Sequence, residues 1–231
     1  MNARIHQIYY RDDQQPLLDQ AFIPYDNTGN SRPEWREYHV FRTEFLRDAC
    51  RSDAITGYVS WKFSAKTKTS GELFKRFIQR NPGYDVYFIN PTDLVPRRFG
   101  NIWLQGEFHH PGLIEITEAV LQQAGMPIDL AQLQCDAAKT LCCNYWAGTA
   151  AFWQKYMAFC EPVFHAIEHH IAPELRARID RRADQTIDAC YRPFIMERLF
   201  TTLLSIDPSI RWIGYRRHTS AWRRWLAGQA A

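Results

Sequence analysis

Little in this sequence leans strongly one way. Twenty-eight Lys and Arg stand against 25 Asp and Glu, a formal net charge of only +3 over 231 residues. That is too small to mark the whole surface as nucleic-acid-binding. Paired CxxC spacing is missing, and Cys50, Cys135, Cys142, Cys143, Cys160 and Cys190 fall in apolar or helical contexts. Neither a cysteine zinc site nor a disulfide framework is expected; reduced, mostly buried thiols are. No run is apolar and long enough to span a bilayer, and residues 1–6 lack the apolar core of a signal peptide. These absences predict a cytoplasmic chain. Repeats, low-complexity tracts and a convincing linker are also missing, so one large domain is expected, with at most a small appendage.

What is present is an ordinary globular balance, 46% hydrophobic and 23% charged, with 14% aromatic residues including eight Trp. A sizeable core follows. The aromatic excess suits core, stacking platforms or interfaces alike.

The most informative stretch is 57–78. Gly57-Tyr58-Val59-Ser60 reads as a buried strand. A polar loop with Lys62, Lys66 and Lys68 follows. Ser70 then stands in capping position ahead of Leu73, Phe74, Phe77 and Ile78, which are spaced for one helix face. In α/β folds the crevice beyond a strand's carboxyl end is where ligands bind. Lysines and a helix N-terminus there suit an anionic group such as the diphosphate of a sugar nucleotide. A solvated turn with surface lysines is the plain alternative.

Other elements follow in order. Residues 5–10 alternate as a first strand. Asn27 to Ser31 is turn chemistry, with Asn30 or Ser31 able to cap a helix from Pro33, and Tyr38, Phe41 and Phe45 on its core face. Glu34, Arg36 and Glu37 are then its solvent face or the rim of a site. Residues 84–89 form a second strong strand, ended by Asn90-Pro91-Thr92-Asp93. Asp93 is the one candidate carboxylate for Mn²⁺ or Mg²⁺, and such ions want more oxygen ligands than one acid supplies.

The segment 102–112 reads as a loop before a helix carrying Leu113, Ile116, Val120 and Leu121, closed near Gly125. Glu107, His109 and His110 offer proton-transfer groups there, or simply caps and packing. Residues 141–148 read as a buried strand whose Asn144 needs a partner, structural or ligand. A long helix follows, broken or kinked at Pro162; His165, His169 and His170 read as its solvated face. In the apolar helix 193–204, Glu197 and Arg198 either face solvent, or Glu197 has a function, since an unpaired buried carboxylate is costly. The segment 211–231 holds five Arg, no acid and Trp212, Trp222 and Trp225, a composition suited to an anionic membrane surface. Nucleic acid is the less favoured partner.

Five blocks carry a resemblance: 25–30 with 33–38, 57–63, 106–112, 143–146 and 194–199. Together they resemble a family of bacterial glycosyltransferase-like proteins from capsule and lipopolysaccharide gene clusters, over most of residues 5–205. The resemblance implies an α/β domain with a single Rossmann-like mixed sheet flanked by helices, of the GT-A-like type, spanning 1–210, with 211–231 as a basic tail.

It also implies Asn30, Glu34, Ser60, Trp61 and Lys62 at the donor, beside Lys66 and Lys68 of the lysine loop, with Glu107 and His109 flanking the acceptor and Asn144 and Glu197 closing the site; Glu107, His109 and Glu197 are the catalytic candidates. The partners implied are a nucleotide sugar and a glycan or lipid-linked acceptor. No Asp-x-Asp ends either candidate strand, so the lysines would replace a metal in neutralising the departing nucleoside diphosphate. The competing expectation is a non-catalytic scaffold of the same fold, docking through its aromatic and basic surface.

Overall fold

A computed structural model describes residues 2–91, 99–136, 138–183 and 188–216. The alternating run near the start forms β1 (Ala3–Tyr9). It is followed by β2 (Ile23–Asp26), β3 (Ile55–Ser60), β4 (Val86–Ile89), β5 (Trp146–Gly148) and β6 (Trp212–Tyr215). Among the described residues these make one mixed sheet in the order β2-β1-β3-β5-β4-β6. β1 is parallel to β2 and β3, and β4 to β6; only β5 runs antiparallel, between β3 and β4. Five carboxyl ends therefore open on one side of the sheet. The chain passes outward from β1 to β2 and returns across β1 to β3, which makes β1/β3 the switch point where α/β sheets leave a crevice.

The close pairing of β3 with β5 depends on Gly57. A Cβ there would lie 2.6 Å from the Trp146 carbonyl oxygen and 2.8 Å from Ala147 Cβ. Helices cover both faces. The larger core gathers Tyr38, Phe41, Tyr58, Trp146, Trp153 and Tyr156. The smaller one packs Phe22, Phe63, Phe74, Tyr87 and Tyr145 on the other face.

Among the described residues the α-helices are α1 (Arg36–Leu46), α2 (Phe63–Thr67), α3 (Gly71–Arg80), α4 (Ile102–His109), α5 (Leu113–Gln123), α6 (Ala150–His165), α7 (Pro173–Asp180) and α8 (Tyr191–Ile206). Two match the sequence reading closely. Ser70 Oγ accepts the Leu73 amide and caps α3. Leu113, Ile116, Val120 and Leu121 are all buried on α5, and Gly125 beyond it has φ +71°.

Elsewhere the structure corrects the expectation. The lysine segment after β3 is not an open loop: Phe63 and Thr67 turn inward and wind it into α2. Residues 102–109 are helical because Asn101 Oδ1 accepts the Leu104 amide while Ile102 and Trp103 bury. Neither Asn30 nor Ser31 caps α1; a 3-10 turn at Pro33–Trp35 leads into it, anchored by buried Trp35. Pro162 does not stop α6, which runs to His165 before one π turn over Ala166–His170. Only 146–148 of the expected strand pair in the sheet.

Two strands were not foreseen. β2 is a short edge strand containing Pro24. β6 lies inside the segment expected to be an appended tail, so the sheet takes in Trp212–Tyr215 and the domain does not end at 210.

Candidate active site

The cavity beyond β1 and β3 is built from the carboxyl ends of these strands and the residues just past them. Tyr10 and Arg11 come from β1, and Ser60, Trp61 and Lys62 from β3; these and Lys66 of α2 line a space of about 730 Å³. Arg36 and Glu37 enter from the start of α1, Gln105 and His110 from α4 and its end, Cys142 and Cys143 from the chain before β5. Pro193, Phe194, Glu197 and Arg198 close it from α8.

α8 explains how a charged pair reaches this place. Ile195, Met196, Leu199, Phe200 and Leu203 bury the rest of the helix, which turns Glu197 to the cavity. Arg198 is buried, and each of its three guanidinium nitrogens donates. Its Nε donates to the Ile102 carbonyl at 3.2 Å, Nη1 to the Phe194 carbonyl at 2.9 Å and Nη2 to Gln105 Oε1 at 2.8 Å. The guanidinium staples α8 to α4, and Gly106 is required beneath it, since a Cβ at that position would collide with Arg198 Nε.

Glu197 has no such anchoring: no side-chain hydrogen bond or ion pair holds it among the described residues. Burial first, and then the Glu37 carboxylate, push its carboxyl up to about 7, against the opposing pull of Arg198, Lys66 and Arg36. A carboxyl raised in this way is suited to taking and returning a proton near neutral pH.

The cations differ in how free they are. Arg11 is chelated by Asp13 at 2.8 and 2.9 Å. Arg36 Nη2 donates to the Asp188 carbonyl at 2.9 Å, and Arg36 itself has φ +48°, a conformation L residues seldom adopt. Lys62 lies over the Trp61 ring, 5.0 Å from its centroid. Lys66 Nζ reaches Cys143 Sγ at 3.6 Å. Burial disfavours the Lys66 charge, but Cys143, Glu197 and Glu37 outweigh it and the ammonium ends above its ordinary value. Burial drives the thiols of Cys142 and Cys143 up to about 12, so both are neutral walls.

Of the residues expected at the site, Ser60, Trp61, Lys62, Lys66 and Glu197 come together in this cavity. Ser60 Oγ is 3.2 Å from Tyr145 Oη. The others lie elsewhere. Lys68 is the exposed left-handed cap of α2. Glu107 accepts the amides of Gly112 at 2.6 Å and Ile114 at 2.9 Å, so its carboxylate fastens the start of α5 and does not line the cavity.

His109 is exposed beside Phe108. The imidazole in the cavity is His110, stacked on Phe194 at 3.7 Å with Nδ1 3.2 Å from the Ala183 carbonyl. Asn30 accepts the Arg32 amide, and Glu34 pairs with Arg32 at 2.7 Å. Asn144 is buried with its Oδ1 unpartnered, outside the cavity lining.

Asp93 lies outside the described residues, among which no cluster of three His, Cys, Asp or Glu is placed to hold a metal ion. Within the supposed tail, Arg211 is used by Asp85 at 3.0 Å and Trp212 by the sheet. Trp222 and Trp225 lie beyond the described residues. No helix among the described residues is long and apolar enough to cross a membrane.

Tyr10, Arg11, Cys142 and Cys143 are cavity residues that the sequence reading did not single out, whereas Arg36 was weighed as solvent face or rim and His110 as a proton-transfer group or simple packing. The available signal was positional for two of them, since Tyr10 and Arg11 directly follow a strand. No protein-family model matches this chain, and no curated protein or solved structure matches it either.

Proposed function

We propose that this chain is a glycosyltransferase that moves a sugar from a nucleotide-diphosphate donor to a glycan hydroxyl. The observation that carries the reading is Glu197. It is a carboxylate with no hydrogen-bond or ion-pair partner among the described residues, raised by its surroundings, facing a cavity at the β1/β3 switch point whose lining also presents Lys62 and Lys66. Anion-binding cations and a separate proton acceptor are the two things this transfer needs.

In the proposed step the acceptor oxygen bonds to the anomeric carbon as the bond from that carbon to the phosphate oxygen breaks. The hydroxyl proton passes to the Glu197 carboxylate. The bonding pair leaves with the nucleoside diphosphate, whose growing charge is met by Lys62 and Lys66. Such electrostatic stabilisation acts most strongly where water is partly excluded. Trp61, half-exposed at the rim, offers a flat apolar face to a ring of the donor.

The test has two parts. A thermal-shift screen with UDP-, GDP-, dTDP- and CMP-sugars, each with and without Mn²⁺, identifies the donor, because a ligand of the native state raises the melting temperature. Turnover with that donor is then compared in Glu197→Gln, expected to fall by roughly 10²–10⁴ for loss of a general base, with the thermal shift retained. In Lys62→Ala both shift and turnover are expected to weaken. Full turnover in Glu197→Gln overturns the mechanism, and no shift with any sugar nucleotide overturns the function.

A further inference from the structure

A second depression, of about 300 Å³, adjoins the cavity and is lined by Pro33, Glu34, Arg36, Asp188, Ala189 and Cys190. Arg36 and Ala189 belong to both linings, so the two spaces meet across this pair. We propose that this groove seats the second sugar of an oligosaccharide acceptor whose reacting sugar lies in the main cavity. The inference rests on the transferase reading and adds to it a substrate class: a glycan of two or more units, uncharged where it crosses the groove.

The chemistry of the lining selects that occupant. Lys62 and Lys66 are confined to the main cavity, while the groove carries two acids, Glu34 and Asp188, against Arg36. Glu34 is paired with Arg32 and Asp188 stands against Arg36, so the groove has no surplus positive charge with which to extend the diphosphate site. Carboxylate and guanidinium together match sugar hydroxyls, which donate to the first and accept from the second. Pro33, Ala189 and Cys190 supply apolar wall for the C–H face of a pyranose.

Arg36 and Glu34 are also fixed before a ligand arrives. Arg36 is held by the Asp188 carbonyl at 2.9 Å. Glu34 is held by Arg32 at 2.7 Å, and Arg32 in turn by Glu168 at 2.7 Å. Buried Trp35 pins the turn from which Glu34 and Arg36 project, its Nε1 donating to Glu168 at 3.2 Å. Preorganisation of this kind lowers the ordering cost of binding.

The full chain, saturated in turn with UDP, GDP, dTDP or CMP, is applied to an array of immobilised mono-, di- and trisaccharides. Retention of at least one di- or trisaccharide is expected at tenfold or more above the monosaccharide that ends it. Cys190→Phe, which fills the groove and leaves the main lining untouched, is expected to abolish that advantage. Asp188→Ala is the milder control, because its backbone carbonyl still holds Arg36, and should weaken retention several-fold.

Both variants should keep the wild-type melting shift with the nucleotide, which shows that fold and donor site survive. Retention independent of glycan length, no glycan retained, or an undiminished length advantage in Cys190→Phe overturns the proposal while that shift leaves the transferase reading standing. Absence of any nucleotide shift in the wild type takes down both.

Discussion

Glu197→Gln should make this protein more stable above neutral pH while depriving it of its base. The folded Glu197 carboxyl holds its proton up to about 7, against an ordinary glutamate value of 4.5. As pH rises from 4.5 to 7 the unfolded chain loses this proton first, so the folded state, which binds more protons, loses relative stability. At ~1.4 kcal/mol per pH unit, that interval amounts to about 3 kcal/mol of destabilisation, present in full above pH 7 and absent below about pH 4.5. Because Glu197 is only half-buried and faces the cavity, water relaxes part of this cost, and about 1–3 kcal/mol is the expected range.

Gln does not titrate. The difference in unfolding free energy between wild type and variant therefore isolates this one group from every other carboxylate in the chain. Urea unfolding of both proteins at half-unit steps from pH 4.5 to 8.5 measures it. The wild type should lose about 1–3 kcal/mol relative to Glu197→Gln across that span, with the change centred between 5 and 7. The sign of the slope matters more than any constant offset, which contains the packing difference between the two side chains. A difference that is flat with pH, or that moves in favour of the wild type, would refute the account of Glu197 as a carboxylate held in its site at a cost.

Gly57→Ala should cost roughly 1–3 kcal/mol by overpacking, since its methyl meets the Trp146 carbonyl and Ala147 at under 3 Å; a melting temperature equal to wild type would show that β3 and β5 can separate freely. Glu107→Ala should destabilise by about 1–3 kcal/mol through the loss of two charge-assisted bonds to backbone amides, with turnover per folded molecule unchanged, and a large loss of turnover at full stability would return Glu107 to the reacting centre. Arg198→Met should lower stability by about 2–4 kcal/mol, because three acceptors on α4 and α8 lose their donor together; denaturant midpoints decide this, and a neutral result would mean that water replaces the guanidinium.

How much of this was legible in the chain depends on whether the deciding physics is local. The strand beginning at Gly57, the cap at Ser70 and the α5 face were readable because period and capping act within a few residues. β5 was legible only as an apolar run, since three residues between β3 and β4 are held by partners 60 and 90 positions away. β6 was masked by its own composition: Arg and Trp suggested a tail, yet Trp212 and Arg211 are used by Phe88 and Asp85 of the neighbouring segment.

The same distinction runs through the site. Glu197 drew attention because a carboxylate among Phe194, Ile195, Met196 and Leu199 has an energetic cost that the sequence displays. Glu107 and His109 drew it for weaker reasons of type alone. Once Asn101 caps α4 and makes 102–109 helical, His109 and His110 diverge, and it is His110 that stacks on Phe194 in the cavity. Arg36 was weighed only as solvent face or rim, yet it stands where cavity and groove meet, in a backbone conformation fixed by a turn around a buried Trp35. A residue whose role depends on where a distant turn places it leaves no periodic signal, and this one shows only when the fold is assembled.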